Sequence, residues 1–222
     1  FQLYRENVPV SKIQRIMSAG MIGIGKFRKF VPTRWAITAV DSTISEIMLD
    51  EIKSYESIDT IKIFESNFME NRFIVAIFPG SWSYELVEAW YPGTLWNPFS
   101  KNTYIISDHE FYYGRKDYAQ IGGCYYSARL AVSEYLKKIG KQGRVVVLRE
   151  AQPSYIMPVG VWNVRENVRK ALNGNSIEFN DFDSALNYIF SRFHIEKNLW
   201  MKNSKILDFI KHQRGIESFE MH

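Results

Sequence analysis

The sequence predicts an α+β protein: a mostly antiparallel sheet with flanking helices, forming a single domain plus a C-terminal tail. Three observations predict it. Apolar residues alternate with period two through consecutive segments between residues 58 and 91, with turn residues between them. Elsewhere apolar residues recur at i, i+3 and i+4, the spacing of a helix with one buried face. No repeat, low-complexity tract or linker divides the chain. A chain of 222 residues can bury a core without disulfides or metals. The domain is placed at residues 1–210 and the tail at 211–222.

In order, residues 9–19 read as a helix with Ile13, Ile16 and Met17 on one face, ended by Gly20. Gly23 and Gly25 follow in a turn. Residues 35–40 are β-rich and predict a strand. Thr43-Ile44-Ser45-Glu46 has the form of a capping box and predicts a helix start, with Asp41 at the corner as cap or ligand contact. Residues 58–65, 72–78 and 82–91 predict three strands of an antiparallel meander. A short strand is predicted over 103–107 and a polar, aromatic loop over 108–117. A long helix over 121–139 is closed by Gly140. Strands are predicted over 144–150 and 155–164, a short helix over 165–172, and helices over 181–193 and 204–211. The polar stretch 213–222 predicts a loosely held tail.

Charge and composition narrow the classes of function. Net charge is +4 with a pI near 9.0, a mild preference for acidic partners. The cations are clustered, above all between Lys26 and Arg34. Aromatic residues make up 15% of the chain, so they must fill a core or form a binding surface. Cys124 is the single cysteine, which rules out an internal disulfide or a Cys-based zinc site. The four histidines lack metal-ligand spacing, so no metal site is predicted. No apolar run reaches membrane-spanning length and no secretory signal opens the chain. The expectation is a cytoplasmic protein with no membrane partner. The chain opens without an initiator Met, as the middle of a longer protein would.

Four constellations could carry chemistry. Lys26, Arg28, Lys29 and Arg34 interleave with Phe27 and Trp35. Arginine pairs with phosphate and an indole offers a stacking face, so this stretch predicts a nucleic-acid contact, against a solvated basic turn. Asp108, His109 and Glu110 place an imidazole between two carboxylates, a general acid–base group or a polar loop. On a strand the three could not share one site. Glu150 and Arg165, with Arg169 one turn on and Trp162 nearby, could hold an anion or pair internally. Gln213, Ile216 and Phe219 place an amide, an aliphatic and an aromatic where they could plug a groove on a partner.

The blocks Arg28-Lys29-Phe30-Val31-Pro32-Thr33-Arg34-Trp35-Ala36-Ile37-Thr38-Ala39-Val40-Asp41, Glu88-Ala89-Trp90-Tyr91-Pro92-Gly93, Gly122-Gly123-Cys124-Tyr125-Tyr126-Ser127-Ala128-Arg129 and Pro158-Val159-Gly160-Val161-Trp162-Asn163-Val164-Arg165-Glu166 resemble the archaeal Nre DNA repair proteins. The resemblance covers most of the chain. It implies a part in repair of DNA damage and a C-terminal motif for the sliding clamp PCNA. Gln213, Ile216 and Phe219 match that motif. Glu220 stands where the motif prefers a second aromatic, which should weaken clamp binding by about 1–3 kcal/mol. The resemblance also implies a Cys-rich zinc-binding segment in the family's N-terminal portion, outside this chain, so no zinc or other cofactor is predicted here.

The leading expectation is a DNA repair factor that contacts DNA or a nucleotide through Lys26, Arg28, Lys29, Arg34, Trp35 and Arg165. Its tail would dock to PCNA. The alternative is an enzyme acting on a nucleotide or nucleic acid, with Arg34, Asp41, His109, Glu110 and Glu150 converging in one pocket.

Overall fold

A computed structural model describes residues 2–94, 96–155 and 160–217, with side chains through residue 213. One six-stranded sheet forms the middle layer: β1 (Ile61–Phe68), β2 (Asn71–Phe78), β3 (Ser83–Trp90), β4 (Tyr104–Glu110), β5 (Arg144–Ala151) and β6 (Ile177–Phe179). Their order is β4-β3-β5-β2-β1-β6. Every neighbouring pair is antiparallel except β3 and β5. The α+β class with a mostly antiparallel sheet therefore stands.

Strand alternation builds two cores. Along β2, Phe73, Val75 and Ile77 face one side, and Ile74, Ala76 and Phe78 the other. The first side is covered by α2 (Val10–Ser18), α3 (Thr33–Ile52), α4 (Gly123–Ile139) and α5 (Gly160–Leu172), with the short α1 (Gln2–Arg5) outside them. The second is covered by α6 (Phe182–Ser191), α7 (Lys197–Asn203) and α8 (Lys205–Glu217). Both faces are buried, which is why the central strands read as almost unbroken apolar runs.

Several elements differ from expectation. Residues 35–40 are not a strand but lie within α3. Ala36, Val40, Ile44, Met48 and Ile52 form one continuous buried stripe, and packing on the sheet overrides the local β preference. The expected capping box is therefore mid-helix, and Asp41 sits inside the helix rather than at a corner. The expected meander is also corrected. β2 and β3 are not neighbours; β5 lies between them and pairs parallel with β3. β4 runs on to Glu110, so Asp108, His109 and Glu110 are strand residues and not a loop. The strand expected over 155–164 is replaced in its described part by the start of α5; residues 156–159 lie outside the described residues. α8 continues to Glu217 and so includes the backbone of Gln213 and Ile216, while Phe219 lies outside the described residues.

Glu85 fixes the start of α8. Its buried carboxylate accepts hydrogen bonds from Ser204 Oγ at 2.5 Å, the Lys205 amide at 2.8 Å and the Ile206 amide at 3.0 Å. Burial outweighs those donors and pushes the carboxyl up to about 7. The native state thus holds a proton that the unfolded chain releases above its ordinary carboxylate range. Stability from this group is full below the unfolded value and is lost as pH rises through 7. The loss should amount to about 3 kcal/mol. Urea unfolding from pH 4.5 to 8 should show it in the native chain and not in Glu85→Gln; equal pH profiles for the two would contradict it.

Candidate nucleic-acid interface

Three helices of the first layer run side by side in the same direction. Asp41 of α3 accepts from Ser127 of α4 at 2.7 Å and from Arg165 of α5 at 2.7 Å. Further along, Lys137 pairs with Glu51, and Arg169 with Glu134 at 2.7 Å. Their starts meet around Gly123. A methyl group there would lie 2.7 Å from Thr38 Oγ1 and 2.7 Å from Val161 Cγ1, so glycine lets the three helix starts close up. Each start carries unpaired backbone N–H groups and the positive end of a helix dipole. All three lie at the end of the sheet where β1, β3 and β5 finish and β2, β4 and β6 begin. Ser66 near the end of β1 bonds the α5 backbone at 3.0 Å. Burial does most to push the Cys124 thiol at the start of α4 up in pKa, and Glu88 near the end of β3 lies close enough for its charge to add to the effect.

The loop between α2 and α3 projects from this end. Its backbone is tied down. Val31 N–H donates to Ser18 O at 3.2 Å, Phe27 N–H to Ile24 O at 3.1 Å, and the Arg28 guanidinium to Gly23 O at 2.9 Å. A Cβ at Gly20, where φ is +67°, would sit 2.9 Å from the Lys29 carbonyl carbon. The side chains turn outward instead. Ile24, Phe27 and Phe30 are 85%, 74% and 86% exposed, and Trp35 is 60% exposed. From residue 7 to residue 40 there is no Asp or Glu, against six cations: Lys12, Arg15, Lys26, Arg28, Lys29 and Arg34. Lys26, Arg28, Lys29 and Arg34 are exposed and form no ion pair with any described carboxylate.

Other residues named from the sequence lie elsewhere. Arg165 is buried, its Nη1 on both oxygens of Asp41 at 2.7 and 3.0 Å, so most of its guanidinium is turned inward. Asp41 also accepts from Gln14 Nε2 at 2.6 Å. Burial pushes its carboxyl upward and the Arg165 guanidinium holds it back. Glu110 belongs to a second buried group, accepting from Arg129 at 2.8 Å, Tyr125 at 3.0 Å and Trp82 at 3.2 Å. Glu150 faces the opposite side of the sheet, where it accepts from Tyr91 at 2.8 Å and from the His194 and Ile195 amides at 3.1 and 3.2 Å. His109 points away from Asp108 and Glu110, as strand alternation requires, and packs edge-on against Phe111. Burial lowers its pKa, with Arg115 adding to the effect. Arg34, Asp41, His109, Glu110 and Glu150 therefore do not share one pocket.

One buried pair escaped sequence reading. Arg149 of β5 donates to Glu88 of β3 at 2.8 Å and to Asn71 at 2.9 Å, and lies 4.5 Å from the Trp90 ring centroid. The signal was the parallel register that sets Glu88 opposite Arg149, which no local pattern reveals. Among the described residues no group of three or more His, Cys, Asp or Glu is placed to hold a metal. Among the same residues no helix is long and apolar enough to cross a membrane.

The fold and this end define a class: a three-layer α+β protein that gathers three helix starts, a cationic loop and exposed aromatics on one surface. The chain belongs to the archaeal Nre family. The model "Archaeal Nre, N-terminal" matches residues 1–97, and "Archaeal Nre, C-terminal" matches residues 110–219. The chain is 43% identical to "DNA repair protein NreB" of Archaeoglobus fulgidus over 92% of its own length and 52% of that protein's. It is 39% identical to "DNA repair protein NreA" of Haloferax volcanii, over 83% of this chain and 44% of that one. It is 41% identical to "DNA repair protein NreA" of Archaeoglobus fulgidus, over 89% and 50%. The chain spans about half the length of these curated relatives. No solved structure matches it at a significant level.

Proposed function

We propose that this chain is part of a DNA repair factor and contacts DNA or a nucleotide through the loop between α2 and α3. The observation that supports this best is the acid-free run of residues 7–40, in which Lys26, Arg28 and Lys29 of the loop and Arg34 and Trp35 of the first turn of α3 stand exposed beside three helix starts. Phosphates would meet Lys26, Arg28, Lys29 and Arg34; unpaired bases would stack on Trp35. The relatives are DNA repair proteins by name, which agrees with such a partner. The test is a binding titration against duplex and single-stranded DNA over a range of salt. Affinity should fall steeply as salt rises. Binding insensitive to salt, or no binding, would remove the reading.

The same proposal has the C-terminal motif Gln213, Ile216 and Phe219 dock to the sliding clamp PCNA. Calorimetry should show binding of PCNA to the full chain that Phe219→Ala reduces by at least about tenfold, the loss of one aromatic anchor. Equal affinity for the two proteins would reject the motif.

A further inference from the structure

A cavity of about 370 Å³ opens between α2 and the starts of α3 and α5, next to the cationic loop. Gln14, Ser18, Thr33, Ile37, Trp162 and Arg165 line it. Its volume falls in the ordinary range of ligand sites. Most of the wall is apolar, with Ile37 on one helix and the half-exposed Trp162 on another.

Two buried polar side chains reach it, and Asp41 fixes both. Gln14 is 6% exposed and Arg165 1%. Because Asp41 can only accept, the Gln14 amide must present Nε2 to it, at 2.6 Å. Gln14 Oε1 is left as an acceptor with no hydrogen bond among the described residues. Arg165 spends Nη1 on Asp41 at 2.7 Å and Nε on Glu166 at 3.3 Å. Its Nη2 is left as a donor with no hydrogen bond among the described residues. A flat wall, a fixed acceptor and a fixed donor match a flat heterocycle that carries a donor next to an acceptor on one edge. Nucleobases have that edge.

We propose that this cavity receives one unstacked nucleobase, its ring against Trp162 and its polar edge on Gln14 and Arg165. The inference rests on reading the adjoining loop as a DNA contact, and gives that contact a second part: phosphates outside, one extruded base inside. A base that is mismatched, damaged or already unpaired would enter most readily, since it leaves its stack at least cost.

The test has two arms, both on the full chain. Calorimetry with the four deoxynucleoside monophosphates should show saturable binding. Trp162→Ala should weaken it by about tenfold or more, and Trp162→Phe should keep most of it. Ile37→Trp, which fills the cavity, should abolish it. In the second arm, duplexes with 2-aminopurine next to a mismatched base should brighten several-fold on binding, as the extruded base leaves its stack, and the Ile37→Trp protein should leave the signal flat. DNA binding with no brightening and no monophosphate binding overturns the pocket while sparing the surface reading. Trp162-dependent monophosphate binding without affinity for DNA overturns the surface reading and supports the pocket. Monophosphate binding that Trp162→Ala and Ile37→Trp leave unchanged overturns the pocket. A thermal melt of each variant identifies any that fails to fold, and Trp162→Phe then decides.

Discussion

Replacing Arg165 by methionine should destabilise the protein by about 3–5 kcal/mol, because it strands a buried carboxylate. Asp41 is fully buried in the helical layer and its main cationic partner is Arg165. Gln14 and Ser127 would still donate, but neither carries charge. Removing the guanidinium also removes the largest influence that holds the Asp41 carboxyl down against burial. In the variant that carboxyl should take up a proton at higher pH than in the native chain. The deficit should therefore shrink as pH falls and grow as pH rises toward neutrality. The double change Asp41→Leu with Arg165→Met replaces both charges by apolar groups and should recover most of the loss. Urea unfolding of the three proteins at two pH values measures all of this. A single variant within about 1 kcal/mol of the native chain would show that the pair does not bind the helices together.

The second large effect falls on binding. Changing Lys26, Arg28, Lys29 and Arg34 together to alanine should lower DNA affinity by roughly a thousandfold at 0.1 M salt, if each meets one phosphate. The plot of log affinity against log salt should lose about 0.9 of slope per cation. The four side chains are exposed and paired with no described carboxylate, so their removal should barely move the thermal midpoint. Arg28 is the exception, since its guanidinium also bonds Gly23 O, and Arg28→Lys separates loop shape from charge. A slope equal to that of the native chain would place the phosphate contacts elsewhere on the molecule.

The residues that made this surface legible are local ones. Lys26, Phe27, Arg28, Lys29, Arg34 and Trp35 lie within ten positions of each other, and a run without acids has no nearby carboxylate to neutralise it. The same holds for the helices over Ile13, Leu130 and Ala185 and for β1 and β2, whose apolar periods are written in consecutive residues. Residues 35–40 misled because β-branched and aromatic residues prefer strands, while only the sheet beneath α3 supplies the burial that makes them helical. Asp41 looked like a cap for the same reason. Its partner is 124 positions away, and a pairing of that range leaves no trace in a local pattern.

The sequence by itself determined the class of fold, the cationic and aromatic stretch, and the absence of any internal disulfide. All are set by composition and by short-range periodicity. Only the tertiary structure decided that β5 enters between β2 and β3, that α3, α4 and α5 run in parallel, and that their starts meet at Gly123. Those outcomes turn on which distant surfaces bury each other best. Burial also decided which charges face inward: Arg165 and Arg129 are matched by carboxylates brought from other elements, and Arg34 has none among the described residues.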